Sequence, residues 1–282
     1  MLAFADTFKP SGCALVAYTD KGTPTPTFGS AGVQVVSDCP TEIGPRTGGY
    51  AMWQFDTLRG VLPDGGIDGA FSATVSAFEA LAEVTLDPQG RLLLTGFSDG
   101  LTFTAQRLLP DGAVDTTFGT AGTLAVPVPP FGGNDAIGSD TVFDENGGGA
   151  ILVETNVGST IFEELPRILR FGPDGQVDAG FGAGGLAPIL RESEVGFALG
   201  LVRTSTGRFV TVSWVFDGSF SGDAYVARFN PDGSADPTFG EGGRVPVELP
   251  RILIYDEAAE RILTVGEQDS PTGGILVSRF WL

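Results

Sequence analysis

The stretch Arg228-Phe-Asn-Pro-Asp-Gly-Ser-Ala-Asp-Pro-Thr-Phe-Gly-Glu-Gly-Gly-Arg244 decides the fold, because near copies of it recur along the chain. Two are Arg107-Leu-Leu-Pro-Asp-Gly-Ala-Val-Asp-Thr-Thr-Phe-Gly-Thr-Ala-Gly122 and Arg170-Phe-Gly-Pro-Asp-Gly-Gln-Val-Asp-Ala-Gly-Phe-Gly-Ala-Gly-Gly185. A weaker copy runs Leu62-Pro-Asp-Gly-Gly-Ile-Asp-Gly-Ala-Phe71, and a degenerate one Asp20-Lys-Gly-Thr-Pro-Thr-Pro-Thr-Phe-Gly-Ser-Ala-Gly32. Each reads as a turn: Pro presets φ, Asp can bond its own backbone, and Gly supplies positive φ. The second Asp of each full copy (Asp111 and Asp115, Asp174 and Asp178, Asp232 and Asp236) reads as a further cap. The Phe reads as an apolar plug, and the Gly after it marks a place where a Cβ would clash. The plugs Phe28, Phe71, Phe118, Phe181 and Phe239 are 43, 47, 63 and 58 residues apart. That is the period of a four-stranded propeller blade with loops of varied length.

Between the turns lie short runs of β-branched and aliphatic residues, and no stretch keeps a helical apolar period. In the third unit the four strands, called a to d, read as Leu81–Leu86, Arg91–Thr95, Phe103–Leu108 and Thr123–Val126. The fourth and fifth units repeat this order. The second is read as shortened to Tyr50–Phe55 and Leu58–Leu62. The first is read as beginning at strand b, and the last as stopping before strand d. The expectation is an all-β chain, residues 1–282 forming a single propeller of about six four-stranded blades. Its first, second and last blades are expected to be incomplete or degenerate. The turn motifs fall near 20–32, 63–71, 110–122, 173–185 and 231–243, and ring closure is expected by pairing of the first and last strands.

The string Arg-Phe-Asn-Pro-Asp-Gly-Ser-x-Asp-x-Thr-Phe-Gly-x-x-Gly resembles the bacterial delta-60 repeat, a propeller module similar in strand order to NHL-type repeats. The resemblance covers about five repeats between Cys13 and Phe280. It is specific in Arg107–Gly122, Arg170–Gly185 and Arg228–Gly243. It is weak where Ser72 replaces Gly and where Lys21 stands inside the turn. What it implies is a propeller fold and an extracellular or cell-surface location. The family carries no established catalytic residues, so none is transferred.

The composition bounds the partners. The net charge is −19 from 16 basic and 35 acidic residues, which repels nucleic acid and anionic lipid. No apolar run reaches the ~20 residues of a membrane-spanning helix, so no membrane insertion is expected, and a monomer is expected. Met1-Leu-Ala-Phe-Ala-Asp6 lacks the basic start and apolar length of a signal peptide. The chain has no histidine, which removes imidazole bases, imidazole metal ligands and the Ser-His-Asp triad. Catalysis would have to use carboxylates, Tyr, Arg, Ser or the two lysines, Lys9 and Lys21. Cys13 and Cys39 fall at the start of one strand and the end of its neighbour. They read either as a disulfide, implying an oxidising compartment, or as two unrelated free thiols.

Antiparallel connection places the a–b and c–d turns on one face and the b–c and d–a loops on the other. The first face is regular and structural. The second carries the irregular loops, where binding residues on a rigid scaffold usually sit. Its acids are Asp99, Asp135, Glu163, Glu164, Glu192, Glu194, Asp217, Asp223 and Asp269, and its aromatics are Phe131, Phe162 and Phe220. These fit a protein- or carbohydrate-binding face, a Ca²⁺ site, or a carboxylate pair for hydrolysis or lyase chemistry. They equally fit solvated loop charges. The binding scaffold without catalysis or cofactor is the leading reading. Trp53, Trp214 and Trp281 sit inside strands and are expected in the core or between blades.

Overall fold

The computed structural model describes residues 2–6, 12–37, 39–54, 56–98, 102–127, 136–155, 165–216, 222–248, 250–267 and 274–281. They form six antiparallel sheets in chain order. The first holds β1 (Leu2–Asp6), β2 (Cys13–Ala17) and β3 (Val33–Val36). The second holds β4 (Glu42–Arg46), β5 (Gly49–Gln54), β6 (Thr57–Val61) and β7 (Ile67–Thr74). The third holds β8 (Ala80–Leu86), β9 (Leu92–Phe97), β10 (Thr102–Leu108) and β11 (Thr123–Pro127). The fourth holds β12 (Ala136–Phe143), β13 (Gly149–Thr155), β14 (Arg167–Phe171) and β15 (Leu186–Pro188). The fifth holds β16 (Val195–Arg203), β17 (Phe209–Phe216), β18 (Gly222–Phe229) and β19 (Arg244–Val247). The sixth holds β20 (Pro250–Asp256), β21 (Arg261–Glu267) and β22 (Ile275–Trp281). From the second sheet to the sixth, the first strand of each sheet lies beside the first strand of the next, as the innermost strands of a propeller do.

The second strand of each full blade is apolar almost without alternation, as in Leu92-Leu-Leu94 and Ala150-Ile-Leu-Val153, because a neighbouring sheet covers each of its faces. Residues 92–96 and 149–153 are buried throughout. Five apolar clusters result, one between each successive pair of sheets. Each holds one plug Phe: Phe28 between sheets one and two, then Phe71, Phe118, Phe181 and Phe239 in turn. Phe118 meets Phe171 edge-on at 6.0 Å, and Phe181 meets Phe209 at 5.5 Å, a geometry that adds about 1 kcal/mol to the area buried.

Three expectations are corrected. The second unit is a complete four-stranded sheet, not a shortened one. Gly44 and Pro45 lie within its first strand, β4, and residues 69–71 of β7 form a bulge where Arg59 pairs with Ser72 and Gly60 with Asp68. Among the described residues the first and last strands do not pair: β1 and β22 belong to separate three-stranded sheets. Trp281 is 63% exposed, on the outer face of the sixth sheet with the Arg279 guanidinium 5.0 Å from the centre of its ring, whereas Trp53 and Trp214 are half-buried. Cys13 and Cys39 are joined by a disulfide with Cα atoms 5.0 Å apart.

Candidate functional site

The repeated turn clasps each blade to the next. In the third blade Arg107 Nε donates to Asp115 Oδ2 at 2.8 Å, and the guanidinium lies 4.4 Å from the centre of the Phe118 ring. Its Nη1 also donates to the Pro173 carbonyl of the next copy at 2.6 Å. Arg228 repeats the arrangement with Asp236 at 2.9 Å and Phe239 at 4.6 Å. Arg46 does so with Asp68 and Phe71. Arg170 pairs instead with Asp144 at 2.9 Å, while Asp178 accepts from the Gly180 N–H. A planar cation stacked on a ring and bonded to a carboxylate is a compact way to bury charge between blades. The first Asp of each full copy, Asp111, Asp174 or Asp232, accepts from the backbone N–H two residues on.

The Gly after the plug completes the clasp. Gly119 N donates to the Asp174 carbonyl at 2.7 Å, and Gly182 N to the Asp232 carbonyl at 2.8 Å. Their φ values are +54° and +53°, and a Cβ at Gly182 would run into the Leu186 carbonyl. Ser72 holds this place in the second copy, where it sits in β7 paired with Arg59. These turn residues are therefore committed to one another across blades.

Of the residues expected on the opposite face, Asp99, Phe131, Asp135, Phe162, Glu163, Glu164, Asp217, Phe220 and Asp269 lie outside the described residues. Glu192, Glu194 and Asp223 are described, and they do not converge. Asp223 accepts from the Tyr225 hydroxyl at 3.3 Å. Glu194 braces its own loop, accepting from Arg191 N and from Arg244 Nη1, both at 2.8 Å. Burial pushes its carboxyl up, but these bonds and the two guanidinium charges bring it below the ordinary range. Glu192 is exposed. Glu192 and Glu194 lie on the rim of a cleft of about 410 Å³ whose apolar wall includes Leu165, Pro188 and Leu190. Arg167 also lines it, and burial lowers the pKa of its guanidinium. Its Nη1 donates to Thr155 Oγ1 at 3.4 Å.

A second acidic locus escaped the sequence reading. Glu42, Glu83 and Asp140 stand on β4, β8 and β12, the successive first strands of three blades. Sheets three to six each carry a bulge in that first strand, just before Glu83, Asp140, Leu201 and Ile252. A bulge frees a backbone group from the ladder and re-aims the next side chain. Glu83 Oε2 accepts from Thr141 Oγ1 of the next blade at 2.9 Å, and Asp140 Oδ2 accepts from Leu201 N of the blade after that at 2.7 Å. Burial, then the negative charge of Asp140 and, more weakly, Glu42, push the Glu83 carboxyl up to about 7. Burial also raises Glu42 and Asp140, opposed by the backbone N–H groups that each accepts. Among the described residues, no group of three or more acids or cysteines is gathered closely enough to hold a metal ion. The available signal was an acid inside an otherwise apolar first strand, as in Leu81-Ala-Glu-Val-Thr-Leu86.

Comparison with known proteins agrees with the architecture. A family model described as a domain of unknown function (DUF5122) beta-propeller matches residues 213–239, the stretch from β17 through the fifth turn. Among solved structures, a protein from Lactobacillus plantarum aligns with a TM-score of 0.53 at 10% identity, covering 99% of this chain and 81% of its own. An ACO/RPE65 chimera aligns with a TM-score of 0.44 at 12% identity, covering 86% of this chain and 58% of its own. Hsv2 of Kluyveromyces marxianus aligns with a TM-score of 0.40 at 9% identity, covering 96% and 92%. No curated protein sequence matches. At such identities the first likeness speaks to fold alone, and the other two carry no argument.

Proposed function

We propose that the chain is a non-catalytic, six-bladed propeller scaffold of the delta-60 type that binds a protein or carbohydrate ligand through the face opposite the Pro-Asp-Gly turns. The observation that carries this reading is the cleft beside Arg191–Glu194, about 410 Å³ in volume. It lies where the d–a loop of the fourth blade meets the start of β14, and its size and apolar wall suit a ligand side chain or sugar ring. Arg167 supplies a cation in a molecule of net charge −19, so the favoured ligand carries a carboxylate that bonds a guanidinium. Uronic-acid glycans and acidic peptides are the probes. A thermal shift with either, lost in Arg167→Gln, is the expected result; no shift with any member of both panels removes the reading. The Cys13–Cys39 disulfide supports a place outside the cell or at its surface.

A second reading, a carboxylate-dependent hydrolase or lyase, is favoured by Glu83 alone, since a carboxyl pushed up to about 7 can hold a proton at neutral pH as a general acid must. Turnover of a glycan panel that vanishes in Glu83→Gln, with the fold intact, would establish it over the scaffold. A thermal shift with Ca²⁺ would instead favour a cation site on the loop face.

A further inference from the structure

A cleft of about 430 Å³ lies between the fourth and fifth blades, and the repeat itself explains why it is open. One residue before the opening Arg and seven after it, the fourth copy carries Leu169 and Val177, whereas the fifth carries Ala227 and Ala235. In the third and fourth copies a Val114 or Val177 methyl covers the Gly that ends the turn, where a Cβ on Gly122 or Gly185 would run into it. Ala235 has no such methyl, so Gly243 lines the cleft together with Ala227 and Phe229. Protein interiors leave few voids. At the same two places Leu169 and Val177 fill the interface between the third and fourth blades, and the two alanines leave that room unfilled at the next.

Pro188, Leu190, Arg191 and Glu192 form a ridge between this cleft and the one lined by Leu165 and Arg167. The Arg191 guanidinium is held there by donating from Nη2 to the Glu241 carbonyl of the fifth blade's turn at 3.3 Å. Both clefts have largely aliphatic walls. Phe229, the one aromatic that meets either cleft among the described residues, is 4% exposed, so neither offers a flat ring face for a sugar to lie on. A sugar's hydroxyls would also need more polar partners than these walls carry, and burying them unpaired is costly. Aliphatic side chains fit such walls without that cost. Charge narrows the choice further. Glu194 and Arg244 pair at 2.8 Å, which leaves Arg167 and Arg191 against Glu192 among the described residues of the two clefts. This is a local excess of positive charge on a chain of net charge −19, and it suits a carboxylate.

We propose that the two clefts together hold one extended acidic peptide, which seats an aliphatic side chain on each side of the Pro188–Glu192 ridge and sets a carboxylate against Arg167 or Arg191. This rests on the binding reading above and fixes its ligand as protein rather than carbohydrate. In an extended chain residues i and i+2 point the same way, roughly 6.6 Å apart, so alternate side chains can straddle a ridge formed by a single chain segment.

The test is calorimetric titration of the whole chain, at physiological salt, with the capped peptide Asp-Ala-Leu-Ala-Leu-Ala-Asp, whose two Leu and two Asp share one face when extended. Binding is expected, and replacing one Leu of the peptide by Gly should weaken it about tenfold to a hundredfold. Ala235→Val restores the residue that the third and fourth copies carry and should keep the fold by circular dichroism. It should weaken the two-Leu peptide by a similar factor and leave the one-Leu peptide unchanged, whereas Arg167→Gln should weaken both. Equal affinity for the two peptides, or a two-Leu peptide indifferent to Ala235→Val, overturns the joined clefts and leaves the loop-face reading standing. An oligogalacturonate that binds where the peptide does not overturns the inference in favour of carbohydrate. Absence of binding by both ligands overturns it together with the binding reading.

Discussion

Replacing Glu83 with Gln isolates the most strongly perturbed acid on the first strands. The isoelectronic amide keeps an oxygen to accept from Thr141 Oγ1, which lies 2.9 Å from the carboxylate, and removes only the charge. In the folded chain the carboxyl is pushed from an ordinary value of 4.5 up to about 7, by burial first and then by Asp140 and Glu42. Each tenfold change in proton affinity is worth about 1.4 kcal/mol. The two states of the wild type therefore differ by at most about 3 kcal/mol between full protonation and full ionisation. The sign follows from proton uptake: between those two pH values the folded chain holds a proton that the unfolded chain has lost. Stability from this group is thus present below about pH 4.5 and falls as pH rises through about 7. Equilibrium urea unfolding, followed by tryptophan emission at several pH values, measures it. Glu83→Gln should match wild type near pH 5 and exceed it near pH 8 by about 2–3 kcal/mol. A difference that does not change with pH, or a variant weaker than wild type at high pH, would refute the reasoning.

Three further outcomes follow from the clasps and the disulfide. Asp236, whose side chain is 3% exposed, accepts from Arg228 at 2.9 Å and pairs with Arg208 at 3.0 Å. Asp236→Asn leaves two guanidinium groups facing a neutral amide and should cost about 3–5 kcal/mol in urea unfolding, whereas Asp232→Asn at the exposed turn tip should cost much less. Gly182→Ala forces a methyl group toward the Leu186 carbonyl at φ +53° and weakens the bond to the Asp232 carbonyl; a loss of about 2–4 kcal/mol is expected, with hydrogen exchange quickening at the fourth–fifth blade boundary. Reduction of the Cys13–Cys39 bridge, which spans 26 residues, should lower stability by about 2–4 kcal/mol, and an unchanged melting temperature in reductant would count against a structural role.

The repeat alone announced an all-β chain and its blade period, because turn chemistry is local. Pro-Asp-Gly and Phe-Gly dictate φ values wherever they occur, and the spacing of five Phe residues counts the interfaces between blades. The same local reading failed at the second unit, where Gly44-Pro45 and Gly69-Ala70 are held in strands by pairing with distant partners. It also gave Arg107, Arg170 and Arg228 no role: Arg107 and Arg228 reach Asp115 and Asp236 of their own copies only once the turn has folded back onto the strand, and Arg170 reaches Asp144 from 26 residues away. Glu83 and Asp140 were hidden for a related reason: they are more than fifty residues apart in sequence, and only the stacking of first strands lets one raise the other's pKa. Local residue chemistry thus determined what each turn and strand is. Which charges meet, and which apolar side chains are buried or exposed, was decided by packing between blades, a property of the tertiary structure that no single repeat contains.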